Sequence, residues 1–215
     1  MQGKDTERYM QAILKKLTKR YGASLKTQLE HQDMTQLFVA VLLSPQSTDK
    51  QTNAVTEKLF RRYRTFEDFA NADIKRLSKD LSGMNYYKTK ARHLKESSRM
   101  ILERFHGKVP STLHELMELK GVGRKVANVV QAEGFGIHEG IAVDTHCGRV
   151  ARRLLRIRSK DPAVAERRLM RITPQKDWRK VSNLFIELGR DACKARNREC
   201  YRCVLKEMCP SSLAK

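Results

Sequence analysis

The stretch TLHELMELKGVGRKVANVVQAEGFGIHEGIAVDTHCGR, Thr112 to Arg149, reads as two short helices around a Gly-x-Gly turn, then a loop and a third helix start. Thr112 followed three residues later by Glu115 has the spacing of a capping box, in which hydroxyl and carboxylate satisfy backbone donors left open at a helix start. Leu113, Leu116 and Met117 give that helix one apolar face. Gly121-Val122-Gly123 reverses the chain, because glycine tolerates positive φ. The second helix is expected from about Arg124 to Glu133, with Gly134 as its stop. Its open N–H groups and partial positive charge face the turn, which suits a phosphate oxygen. Two helices so joined form a helix-hairpin-helix, although an ordinary helical hairpin has the same pattern.

Lys125 sits just past the turn and Asp144 just past the loop. A lysine at a helix start in a basic chain is commonly a solvated charge or a phosphate contact. Here the helix field and the neighbouring Arg124 disfavour its ammonium form. A neutral lysine is an amine nucleophile able to form a Schiff base with a sugar carbon. Asp144 follows the apolar run Ile141-Ala142-Val143 and reads as a helix N-cap. That role is compatible with catalysis, since a capping carboxylate is rigidly aimed.

The whole chain has 215 residues and a formal net charge of +20, from 44 Lys and Arg against 24 Asp and Glu. That balance points to an anionic partner, nucleic acid first and an acidic membrane surface second. No apolar run reaches transmembrane length, and MQGKDTERYM lacks a signal-peptide core. An unsecreted monomer is expected, in the cytoplasm or nucleoid of a prokaryote or in a eukaryotic nucleus or mitochondrion.

Helical periodicity runs through the rest. Met10, Ile13, Leu14, Leu17 and Tyr21 mark a first amphipathic helix, ending at Gly22. Leu37 to Leu43 is a continuous apolar run, read as a buried helix because no second strand candidate exists to pair with it. It opens into the polar loop Ser44-Pro45-Gln46-Ser47-Thr48-Asp49, which suits either simple turn chemistry or a side chain reaching a ligand. A helix is expected over Lys50–Tyr63 with Val55 and Leu59 inward, a short one after Thr65, and another over Asp73–Leu81. The turn Ser82-Gly83-Met84-Asn85 precedes Tyr86 and Tyr87, rings that either fold onto the core or stay out to wedge between bases. A long helix follows over Lys88–Phe105. From Arg149 to Lys160 six cations occur without an acid, either a solvated face or a phosphate-binding stripe. Pro162 starts a further helix, and Trp178, Val181, Leu184, Phe185 and Leu188 mark the last. No segment alternates with period two, so the chain is read as all-α.

Cys193, Cys200, Cys203 and Cys209 form C-x6-C-x2-C-x5-C, and Cys147 is the only other cysteine. Four clustered thiols in an unsecreted protein point to metal rather than disulfides. Zinc sites usually show two close pairs and here only Cys200 and Cys203 are close, so a 4Fe–4S cluster is favoured over zinc. The intervening Lys194, Arg196, Arg198, Arg202 and Lys206 suit a DNA-backbone contact.

Together LLSPQSTD (42–49), YYKTKA (86–91), LKGVGRKVANVV (119–130), IAVDTH (141–146) and the cysteine spacing resemble the endonuclease III family of DNA glycosylases, over essentially the whole chain. The resemblance implies two all-α domains with an active-site cleft between them. One is a six-helix barrel over residues 24–136; the other joins 1–23 to 137–215 and carries the cluster loop 193–209. It also implies that Lys125 is the nucleophile, Asp144 the catalytic carboxylate, and the four cysteines the ligands of a mainly structural 4Fe–4S cluster. Gln46 and Tyr86 match residues that fill the space left by an extruded nucleotide. Gly121, Val122, Gly123 and Arg124 match the DNA-binding hairpin, and His146 belongs to the DNA-contacting VDTH segment. Four residues depart from the bacterial pattern: Asn85 for glycine, Tyr86 for an aliphatic wedge, Lys120 for proline and Met117 for glutamate.

The function implied is excision of oxidised or ring-saturated pyrimidines, of the thymine glycol type, from double-stranded DNA. Lys125 attacks C1′, expels the base and forms an imine, and β-elimination then cuts the strand on the 3′ side. Two readings stand beside it: a related glycosylase for mismatched uracil or thymine or for oxidised guanine, and a non-catalytic DNA-binding protein.

Overall fold

The computed structural model describes residues 3–22 and 27–214 and is helical throughout, with no strand among the described residues. The chain divides into two compact units, Thr27–Ile137 and a discontinuous one of Met1–Lys26 with His138–Lys215. The domain junction expected between residues 23 and 24 lies outside the described residues.

The continuous unit begins with α2 (Met34–Leu43), after α1 (Gly3–Tyr21) of the other unit. Asp33 caps α2 by accepting from Gln36 N at 2.8 Å, and all seven residues Leu37–Leu43 are buried. An all-round apolar helix is stable only when surrounded. Four further helices follow, α3 (Asp49–Phe60), α4 (Phe66–Asn71), α5 (Ile74–Asp80) and α6 (Tyr87–Phe105); α3 and α6 pack on α2, and α4 and α5 on α6. Thr65 and Asp68 close a full capping box at α4, and Asp73 caps α5. The inward face of α3 differs from expectation: Thr52 and Thr56 are buried beside Leu59, while Val55 is only half-buried. Each threonine offsets its burial by donating its hydroxyl to the carbonyl four residues back. On α6, Ala91, Leu94 and Ile101 are fully buried, and α4 and α5 pack against it.

The unit closes with α7 (Leu113–Glu118) and α8 (Arg124–Val130). Two local expectations are corrected here. Met117 turns outward, 44 % exposed, and leaves Leu113 and Leu116 as the inner face of α7. The helix after the hairpin does not stop at Gly134. It widens into a π-helical turn, Gln131–Phe135, and ends at Gly136, whose φ of 67° supplies the left-handed cap. Gly134 instead allows close approach, since a Cβ there would stand 2.6 Å from the Met34 thioether.

The discontinuous unit joins α1 to α9 (Thr145–Leu155), α10 (Pro162–Ile172) and α11 (Trp178–Asp191). Met10, Ile13, Leu14 and Leu17 of α1 are buried with Val150, Leu169, Val181, Leu184 and Phe185 in one core. Tyr9 donates its hydroxyl to Met208 O at 3.0 Å and Tyr21 donates to Asp191 at 2.6 Å. No described helix is long and apolar enough to cross a membrane.

Candidate active site and cysteine centre

In the continuous unit the hairpin is held from behind by α6. Ser97 donates its hydroxyl to Lys120 O at 2.7 Å. Gly121, at φ 79°, lies so close to His93 that a Cβ would fall 2.6 Å from the imidazole. Val122 is buried and pins the turn. Gly123 caps α8 with nothing within 4 Å of a Cβ position, so its backbone is open to an approaching group. Arg124 and Lys125, the first two residues of α8, are exposed, while Val126, Ala127 and Val130 anchor the helix. Thr112 accepts from Glu115 N, but its hydroxyl donates to the Glu115 carboxylate at 2.7 Å.

Two loops of the same unit carry Gln46 and Tyr86. Both residues are left-handed, each with φ 57°, and both are exposed, Tyr86 by 67 %. The two tyrosines therefore part company: Tyr86 stands out, and Tyr87 packs on the core. The loops are joined by hydrogen bonds. Asn85 Nδ2 donates to Gln46 O at 2.7 Å, Gln51 Nε2 to Gly83 O at 2.5 Å, and Lys90 Nζ to Ser47 Oγ at 3.0 Å. Lys90 is buried, and burial lowers its pKa from the ordinary lysine value.

In the discontinuous unit, Asp144 is the N-cap of α9, and its carboxylate accepts from Cys147 N at 2.8 Å. The run before it is fixed by burial of Ile141 and Val143 and by Ser182 donating to Ala142 O at 2.6 Å. Asp144 is half-buried. His146 faces Arg149 Nη2 at 3.1 Å, over Gly189, where a Cβ would meet the His146 Cβ at 2.9 Å.

Cys193, Cys200, Cys203 and Cys209 all line one small cavity, with Val150, Leu154 and Leu205 among its apolar walls. Burial, with the neighbouring sulfurs as a further cause, pushes the Cys203 and Cys209 thiols above the usual range. Among the described residues no group of three or more His, Cys, Asp and Glu is arranged to hold a metal ion. Two cations of the basic run Arg149–Lys160 are turned to this loop. Arg149 donates to Cys193 O at 2.9 Å and Gly189 O at 2.8 Å. Arg153 donates to Cys193 Sγ at 3.1 Å and Lys194 O at 2.8 Å. Neither a solvated face nor a phosphate stripe describes these two. Their i, i+4 spacing was the available sequence signal.

Comparison with known proteins finds relatives over most of the chain. The family model for HhH-GPD superfamily base excision DNA repair proteins matches residues 39–175. The endonuclease III of Synechocystis sp. (strain ATCC 27184 / PCC 6803 / Kazusa) is 41 % identical over 202 residues, 94 % of this chain and 90 % of that one. That of Bacillus subtilis (strain 168) is 41 % identical over 85 % of this chain and 83 % of its own. The chain belongs to the endonuclease III family. It is thus a base excision repair enzyme, a DNA glycosylase with abasic-site lyase activity. The structure of a trapped endonuclease III–DNA covalent intermediate matches with a TM-score of 0.90 at 35 % identity, covering 95 % of this chain and 96 % of that one. A thermostable thymine-DNA glycosylase, at 20 % identity and a TM-score of 0.82, shares the fold.

Proposed function

We propose that this endonuclease III family member removes oxidised or ring-saturated pyrimidines from duplex DNA as a monomer and cuts the resulting abasic site through a Lys125 Schiff base. The observation that carries the reading is an exposed lysine in the first turn of the hairpin helix, beside a glycine whose backbone is open. A glycosylase that only activates water does not need an amine there.

The damaged base leaves the stack at a reduced cost, because damage weakens its pairing and stacking. Gln46 and Tyr86 fill the vacated space, Gly121, Val122, Gly123 and Arg124 hold the backbone, and His146 supplies a further DNA contact. Asp144 stabilises positive charge developing on the sugar, or takes a proton from Lys125. The Lys125 nitrogen bonds to C1′ as the bond from C1′ to the base breaks, and the base leaves with its electron pair and is protonated. The C1′–O4′ bond then breaks, O4′ taking up a proton, and the open-chain iminium acidifies C2′; loss of a C2′ proton expels the 3′ phosphate, and water hydrolyses the imine to release Lys125.

Cys193, Cys200, Cys203 and Cys209 hold a 4Fe–4S cluster in this reading. All four cysteines line one cavity with apolar walls, and thiolate ligands held around an enclosed apolar space suit a cluster. The cluster's contribution is structural, fastening the basic loop that carries Lys194, Arg196, Arg198, Arg202 and Lys206.

Borohydride reduction in the presence of abasic or thymine-glycol duplex tests the central step. Wild-type protein forms a covalent adduct, and Lys125→Ala binds the duplex without forming one. Undiminished trapping by Lys125→Ala moves the nucleophile elsewhere, and no trapping by either protein removes the lyase.

A further inference from the structure

Gln46 and Tyr86 are 40 positions apart in the chain, yet both hold the same uncommon backbone, with φ 57° in each. A left-handed non-glycine residue is costly and persists only where its surroundings over-determine it. Here the surroundings are each other's loops. The Asn85 amide ties the residue next to Tyr86 directly to the main chain of Gln46. Gln51, in the first turn of α3, ties the same turn at Gly83. Behind them Lys90, buried in α6, reaches Ser47, the residue after Gln46. Three hydrogen bonds from three side chains thus tie the loop before α3 to the turn before α6, one directly and two from the helices that follow them.

We propose that Gln46 and Tyr86 enter the duplex as one preassembled wedge, with Asn85 as the positioning residue that locks the two loops in register. The proposal rests on the DNA-inserting roles given to Gln46 and Tyr86 above and adds the coupling between them. The physical gain is entropic: two side chains fixed together before contact lose less freedom when they displace a nucleotide than two on independent loops. A wedge that is already rigid does most where the nucleotide resists most, at a base that is still stacked and paired. It does less at an abasic site, where that resistance is gone.

The test uses wild-type protein, Asn85→Ala, Asn85→Asp and the double variant Gln51→Ala/Asn85→Ala. Aspartate keeps the shape of Asn85 and removes its amide donor. The first readout involves no chemistry: fluorescence of 2-aminopurine placed opposite a tetrahydrofuran abasic analogue, which rises when its stacking is disturbed. Wild-type protein raises it, Asn85→Ala and Asn85→Asp raise it less at saturating protein, and the double variant least. The second readout is single-turnover rate. Excision of thymine glycol slows about tenfold in Asn85→Ala, roughly the worth of one hydrogen bond. Cleavage of a preformed abasic site slows less, and thermal midpoints stay together. Equal slowing of both reactions, or unchanged fluorescence and excision in both single variants, overturns the proposal. An enzyme that shows the fluorescence pattern yet traps no adduct instead overturns the Schiff-base reading and leaves the wedge standing.

Discussion

Arg153 donates from Nη1 to the sulfur of Cys193 at 3.1 Å and, from the same nitrogen, to Lys194 O at 2.8 Å. A cation on α9 therefore meets a cysteine sulfur and satisfies a loop carbonyl with one nitrogen. Replacing Arg153 by Met keeps the aliphatic stem and removes all of this. The expected result is a loss of about 2 kcal/mol in stability, since hydrogen bonds to charged groups are worth more than neutral ones. Faster release of iron to a chelator, followed by the visible absorbance of the purified protein, should accompany it. A variant that keeps both its thermal midpoint and its colour would show that the contact is dispensable.

Asp144 is both a cap and a proposed catalytic group, and one substitution separates the roles. Asparagine is as good a helix cap as aspartate, so Asp144→Asn should fold with a stability change under about 1 kcal/mol. Base excision should fall by about a hundredfold or more, the usual weight of a charged catalytic group. Asp144→Ala should lose the excision and also about 1 kcal/mol of stability. Full activity in Asp144→Asn would reduce this residue to its cap.

The hairpin glycines should respond differently to the same change. Gly121→Ala forces a side chain onto a backbone with φ 79° and drives its Cβ into His93, so a destabilisation of about 2 kcal/mol is expected. Gly123→Ala has an ordinary φ of −88° and open space, and should leave the thermal midpoint nearly unchanged. Its Cβ would instead occupy the place of an approaching phosphate, weakening duplex binding in a titration. Equal destabilisation by the two would contradict this division.

Stability in acid should depend on Asp191. The Tyr21 hydroxyl, then the Arg202 guanidinium, hold its carboxyl below the usual range. A carboxyl with a depressed folded pKa stabilises the fold above its unfolded pKa, and that stability is lost as pH falls through the folded value. The discontinuous unit should therefore weaken below about pH 4. Asp191→Asn should be less stable than wild type at neutral pH and converge with it in acid. Parallel melting curves for the two proteins across that range would rule this out.

What could be read from residues alone was what depends on neighbours in the chain. The helix start at Thr65, the Asp144 cap and the all-buried run Leu37–Leu43 are decided within one or two helical turns, and each was legible. What depends on distant partners was not. The helix after the hairpin runs past Gly134, where the missing side chain admits Met34 from a hundred residues earlier, and the π-helical turn carries the chain on to Gly136. Arg149 and Arg153 look like surface charge until the carbonyls of Gly189, Cys193 and Lys194 are brought to them. Asn85 drew notice only as a departure from a family pattern. Its bond to Gln46 spans 39 residues and has no local signature.

The discontinuous unit is made from both ends of the described chain, with Tyr9 bonded to Met208 and Tyr21 to Asp191. During synthesis α1 meets none of these partners for well over a hundred residues of elongation. The continuous unit, Thr27–Ile137, can by contrast collapse as soon as its own segment has emerged. A nascent chain halted late in translation would thus present a finished hairpin beside a helix still waiting for its core, an apolar face for chaperones to shield.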